Sequence, residues 1–431
     1  MSKEENRKNF SKYVSQNILG MIGFSCYVLA DSYFISIAKG ADGLTALNLV
    51  MPLYSIIFSI GEMIGVGSAI RYAISKIKKD ADADDYFWNA LIWCILSSML
   101  FVFAGIFFSA DIMRVLGADE HIVAVGNNYT KIFMCFAPMF MCNYVTNAFV
   151  RNDGAPGIAM SATLFSSLFN IVFDYILMFP MNLGMEGAAL ATALSPIIGM
   201  GICSIHFFSK KSSVRLVVCK PSVRKLVAGC QLGVSAFVGE MSSAVITLAF
   251  NFVILKLTGN VGVAAYGVVA NIAIVTTAVF NGVAQGSQPL ISSCFGRGDK
   301  DGCTQLKRMG YTTAFVLAAV MYSILFIFAG QFVAVFNSEG SEMLRLYATE
   351  GVKLYFIGIF FAGINIVGGG AFSATEDAFK AAVVSVARGF VLILGAVFVM
   401  SAFFGMTGVW LAYAVAEGIT TFIMLVMAMR V

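Results

Sequence analysis

The chain has 431 residues, 59% of them hydrophobic and only 12% charged, against about 45–50% apolar and about 25% charged in an ordinary soluble domain. So few charges cannot cover the surface of a water-soluble fold, and the mean hydropathy of +0.85 agrees. Apolar runs of roughly 20 residues, enough to cross a bilayer, recur from Ile18 to the end of the chain. That excludes a single anchor with a soluble catalytic domain, and it excludes a β-barrel, whose strands would alternate polar and apolar.

In chain order, the apolar runs between charged or Gly/Asn/Asp-rich breaks predict an all-α integral membrane protein of twelve transmembrane helices. The expected limits are 14–38, 44–72, 87–110, 122–150, 157–180 and 187–208, then 229–257, 263–294, 309–330, 345–372, 379–400 and 407–430. Residues 1–13 are read as a cytoplasmic N-terminal segment and 14–208 as an N-terminal lobe of helices 1–6. Residues 209–228 form a cytoplasmic linker that touches lipid headgroups, and 229–431 a C-terminal lobe of helices 7–12. The N-terminus does not read as a signal peptide, because its span contains Asp31 and lacks a small-residue cleavage site. Gly61 with Gly65, and Gly282 with Gly286, suit close helix packing, while Pro52, Pro138, Pro196 and Pro289 are candidate kinks.

Basic residues set the expected orientation. With the N-terminus inside, 21 of the 28 Lys and Arg fall on the cytoplasmic side, Arg151 among them; four (Lys39, Arg114, Lys256, Arg345) fall outside. This positive-inside bias places both termini in the cytoplasm of a cell, in a multi-pass chain of the bacterial inner membrane. Lys131, Lys353 and Arg388 remain within spans and are expected to pair or snorkel.

The halves repeat at an offset near 220 residues. Gly184-Met185-Glu186-Gly187 recurs as Gly405-Met406-Thr407-Gly408, Lys131 and Asn143 line up with Lys353 and Asn365, and Gly67-Ser68 with Gly286-Ser287. Six spans per half make the repeats parallel, and two such bundles enclose a cavity near the midplane, the architecture of an alternating-access transporter.

A carboxylate at the centre of a membrane helix costs about 2.5–3.5 kcal/mol on insertion scales, so those present usually face a cavity. Here they are Asp31, Glu62, Asp174, Glu240 and Glu417. Asn170 and Asp174 share a face of helix 5. At 1.5 Å per residue, Asp31, Asp174 and Thr192 lie about 10, 9 and 8 Å below the same end of the bundle. At that common depth they can close on a small cation such as Na+, held at Asp31, Asn170 and Asp174, or hold a proton; the alternative is an interhelical clasp. Glu240 is a candidate counter-charge for a cationic substrate or a lobe–lobe hydrogen bond, and Glu62 is expected to reach water. With nine cysteines, no C-x-x-C and two histidines, neither a zinc or redox centre nor a hydrolase is expected, and no nucleotide-binding motif is present.

These residues together resemble the multidrug and toxic compound extrusion (MATE) family, most closely its prokaryotic DinF-like branch. The resemblance rests on Ala30-Asp31-Ser32-Tyr33-Phe34-Ile35, on Ala148-Phe149-Val150-Arg151-Asn152-Asp153-Gly154, on Asn170-Ile171-Val172-Phe173-Asp174-Tyr175-Ile176 and on the Gly184–Ala191 segment. It implies a coupling site for H+ or Na+ at Asp31, Asn147, Asn170, Asp174 and Thr192; Asn147 enters on resemblance alone. It also matches Glu240 to an acidic residue of helix 7 and puts a proline-hinge mechanism in doubt, since helix 1 has no proline. The implied activity is secondary multidrug efflux of organic, often cationic, lipophilic compounds by a monomer in the lipid bilayer. No cofactor and no nucleic-acid partner is expected. A lipid-linked oligosaccharide flippase of the same superfamily is the alternative.

Overall fold

Glycine divides what would otherwise be three uninterrupted helical runs. Gly40, Gly259 and Gly405 sit at φ 59, 67 and 57°, a left-handed conformation that glycine adopts without a Cβ clash, and each reverses the chain in a single residue. In this computed structural model, which describes residues 3–336 and 341–429, helix is the only regular structure among the described residues. The first six helices are α1 (Lys3–Gly40), α2 (Asp42–Lys78), α3 (Asp85–Val115), α4 (Glu120–Cys135 continued by Ala137–Asn152), α5 (Pro156–Met178) and α6 (Gly184–Phe207). The run Val223–Gly296 is cut at Gly259 into α7 (223–258) and α8 (260–296). Then come α9 (Lys300–Ile327), α10 (Glu342–Ala374), α11 (378–404) and α12 (406–429), the last two cut at Gly405. Divided in this way, the described residues hold twelve long helical segments.

The helix ends overrun the apolar limits. α1 begins at Lys3 and not at residue 14, α7 at Val223 and not 229, and α9 at Lys300 and not 309. Charged residues end a hydropathy run but not a helix; Glu4 and Glu5 in the first turn of α1 complement the helix dipole. The two halves of α4 meet at 46°. Pro138, at the start of the second half, cannot supply the N–H that would continue the ladder. In the other lobe α10 tightens, without a proline, into a 3-10 turn at Phe356–Gly358.

Each lobe buries its own core, one around Phe133, Phe149, Met141 and Ile70 and the other around Phe250, Phe280, Phe356 and Trp410. The cores trade pieces at their boundary, because Phe10 and Val14 of α1 join the C-terminal core and Leu232 of α7 joins the N-terminal one. The helix backbones touch there. A Cβ on Gly233 would lie 2.0 Å from the Met63 carbonyl oxygen, and one on Gly286 2.7 Å from Val14 Cα, so only glycine permits the crossing. Cross-lobe polar contacts cluster at this same end: Arg71 pairs with Glu376 and donates to the Ala228 carbonyl (3.2 Å), and Asn6 bonds Gln305 (3.2 Å). Gly40 and Gly259, at the opposite end, have no neighbouring atom within 4 Å of a built Cβ.

The connection between the lobes, expected to be a solvated, headgroup-touching linker, is largely exposed and is also strapped to protein at several points. Asp153 accepts from Tyr72 (3.1 Å), from His206 (2.8 Å), from the Ser212 hydroxyl (3.2 Å) and from the Ser213 amide (2.8 Å). Further along, the Ser222 amide donates to Asn89 (2.7 Å) and Lys225 pairs with Asp85. A backbone leaving the helix needs partners for its amides, and the acidic α2–α3 loop and Asp153 supply them.

Candidate functional site

Asp31 on α1, Asn170 and Asp174 on α5 and Thr192 on α6 are all buried, with 6%, 0%, 0% and 3% of their surface exposed. α5 and α6 bring Asn170 to Thr192 across 22 residues of sequence. The Asn170 amide links its neighbours on both sides: Nδ2 donates to Asp174 Oδ2 (3.1 Å) while the oxygen accepts from the Thr192 hydroxyl (3.1 Å) and amide (3.3 Å). Asp31 is close enough for its charge to act on Asp174. In each carboxylate Oδ1 is buried without a hydrogen-bond partner, a costly condition in a low-dielectric interior. These orphaned oxygens are the hard donors that Na+ or a proton would satisfy. Among the described residues no group of three or more His, Cys, Asp or Glu is arranged to hold a metal ion, so a cation here would draw on Asn170 and Thr192 oxygens as well.

Beside this cluster lies a cavity of about 120 Å³ lined by Asn170, Thr192, Ser166, Ser195 and Pro196 from α5 and α6, and by Asn143 and Asn147 from α4. Asn147 therefore reaches the same space as Asn170, although it sits one turn from Arg151; its Nδ2 donates to the Ala159 carbonyl (3.1 Å) and to Thr163 (3.2 Å). Phe24, Tyr27, Phe58, Phe140 and Tyr144 form an aromatic wall, with Phe58 in ring contact with Phe140 and Tyr144 at 5.3 and 5.7 Å. Tyr27 lies within electrostatic reach of Asp31, Asp174 and Glu240 at once. Glu240 lines the cavity from the C-terminal lobe.

One sequence expectation is corrected here. Glu62 does not reach water: it is 8% exposed and accepts a hydrogen bond from Gln285 of α8 (3.3 Å). Arg151, counted with the cytoplasmic basic residues, is 4% exposed, and its Nη1 donates to Gln285 Oε1 at 2.6 Å. Gln285 was not singled out; a glutamine inside an apolar span beside Gly286 was the available signal. In the C-terminal lobe, Arg388 pairs with Glu417 (2.6 Å), which also accepts from Asn365 (2.7 Å). Arg388 is thus paired, as expected.

Fold and site together define a two-lobed, multi-pass membrane protein with an acidic, oxygen-rich cluster in one lobe. The chain belongs to the MatE family, whose pattern matches residues 17–176 and 236–399. It is 27% identical over 414 residues to the multidrug export protein MepA of Staphylococcus aureus, covering 93% of this chain and 89% of that one. Against MepA of Staphylococcus saprophyticus it is 26% identical over 409 residues, with the same coverage. Among solved structures it is similar to an outward-facing multidrug resistance MATE family transporter of the MOP superfamily (TM-score 0.92, 20% identity, 99% of this chain and 96% of that one). It is also similar to a MOP superfamily transporter from Pyrococcus furiosus (TM-score 0.91, 20% identity, same coverage).

Proposed function

We propose that this protein is a secondary exporter that moves organic, lipophilic and often cationic compounds out of the cell in exchange for H+ or Na+. Family membership and the names of the MepA relatives support multidrug export. The observation that carries the exchange reading is the pair of buried carboxylates, Asp31 and Asp174, each with an orphaned oxygen beside a cavity. An ion bound there contacts α6 through Asn170, which links Asp174 to Thr192, and α1 through Asp31; the first turns of α1 are held in the other lobe's core. Such differential contacts are what lets a bound ion shift an equilibrium between two lobe arrangements.

The orientation proposed with this function puts both termini and the glycine crossing in the cytoplasm, so that the lobes part toward the outside. No nucleotide or enzymatic step is invoked. An acidic cavity suits a cation better than the pyrophosphate of a lipid-linked saccharide, which favours the exporter over the flippase. Efflux from proteoliposomes, with pH and Na+ gradients imposed separately, tests the reading. One gradient is expected to drive it; no efflux with either would overturn it.

A further inference from the structure

Glu62, Gln285 and Arg151 form a buried polar chain that crosses between the lobes at the cavity: Arg151 Nη1 donates to Gln285 Oε1 (2.6 Å), whose Nε2 donates to Glu62 Oε1 (3.3 Å). Glu240 faces this chain from α7, lines the same cavity, and has no ion-pair or hydrogen-bond partner among the described residues. The Arg151 Nε is itself buried without a partner in this cavity wall, so the guanidinium is not placed there to complete a hydrogen-bond set. A buried ion is retained at such cost only if it offsets another charge. Among the residues that line the cavity, carboxylates outnumber guanidinium groups by two (Glu62, Glu240) to one (Arg151), and Asp31 and Asp174 are not in its lining.

We propose that Glu62 is a specificity-determining residue of the transport cavity. With Glu240 it reads substrate charge from both lobes, while Arg151, bridged by Gln285, cancels one of the two carboxylates so that the cavity matches a ligand bearing one positive charge. This rests on the export reading above and adds to it the rule by which charge number is selected. It also makes the substrate a bridge between lobes, since its charge is shared by α2 and α7.

The test is calorimetric binding to the full-length protein in detergent, with three probes: tetraphenylphosphonium, a bis-quaternary ammonium compound of similar apolar area, and an uncharged tetraphenyl analogue. Glu62→Gln is expected to weaken tetraphenylphosphonium about tenfold while leaving the uncharged probe within about twofold. Arg151→Gln is expected to move selectivity the opposite way, raising affinity for the dication relative to the monocation about tenfold. Opposite shifts from two charge-removing changes in one chain are not produced by a general loss of packing. If either variant fails to fold, Glu62→Asp and Gln285→Met are read for the same ratio: the first retains the wild-type preference for the monocation, the second moves toward the dication. Equal losses for all three probes, or unchanged ratios, overturn the Glu62 role while wild-type binding leaves the export reading standing. Wild-type protein that binds none of the probes and shows no gradient-driven efflux sinks both.

Discussion

Matching positions in the two lobes carry opposite chemistry. At a spacing of 222 residues, Asn143, Ser166, Ser195 and Gly199 in the N-terminal lobe correspond to Asn365, Arg388, Glu417 and Thr421 in the C-terminal lobe. In the N-terminal lobe the clasp is neutral, from the Ser166 hydroxyl to the Ser195 carbonyl (2.6 Å). Asn143 Oδ1 has no partner there, and the space beside it is the cavity. In the C-terminal lobe a π-helical turn at Ala387–Val391 carries Arg388 to Glu417. There Asn365 is used at both ends, donating to Glu417 (2.7 Å) and accepting from Thr421 (3.0 Å). A fully satisfied network rigidifies its surroundings, and a partly satisfied one keeps polar groups available for a ligand. Duplication supplied two similar bundles; polar satisfaction separated their tasks, with one lobe filled and the other left open.

The largest expected effect breaks the comparison at the open lobe. Asp31→Asn removes one of the two carboxylates with little change in volume and is expected to lower gradient-driven efflux by at least about 100-fold, with unchanged membrane insertion and unfolding temperature. Wild-type transport by that variant would remove Asp31 from the coupling site. In the filled lobe the effect moves from transport to stability. Arg388→Met strands the Glu417 carboxylate and is expected to cost about 3–5 kcal/mol, while Arg388→Met with Glu417→Leu recovers most of it. Thermal unfolding in detergent reads both, and a double variant as unstable as the single one would contradict a purely structural pair. The smallest effect sharpens the contrast: Ser166→Ala loses one neutral interhelical hydrogen bond, worth about 0.6 kcal/mol in membrane helices. A loss as large as that of Arg388→Met would show that the two clasps are equivalent after all.

Legibility followed the kind of information each feature needs. The spans, the repeat and the kink at Pro138 were readable because hydropathy, loop motifs and a missing N–H are local properties. Asp31, Asn170, Asp174 and Thr192 were readable as a group because depth can be counted along a helix. Asn147 was not: counted from Arg151 it lies too near the opposite end, yet the cavity extends along α4 far enough to be lined by both residues. Glu62 was misread for a related reason, since a charged residue near the end of a span looks water-facing until the other lobe is laid over it.

The sequence by itself determined that the chain lives in a bilayer, that it consists of two parallel six-helix halves, and that a few acidic residues sit at membrane depth. Those properties follow from composition and from rise per residue. Only the tertiary structure decided which of those residues converge, that Gln285 joins Arg151 to Glu62 across the lobes, and that Arg388 and Glu417 satisfy one another within the C-terminal lobe. Helices apolar on nearly every side carry no periodic signal to fix their rotation, so the facing of a polar side chain is set by glycine crossings and helix bends, which appear only once the helices are packed.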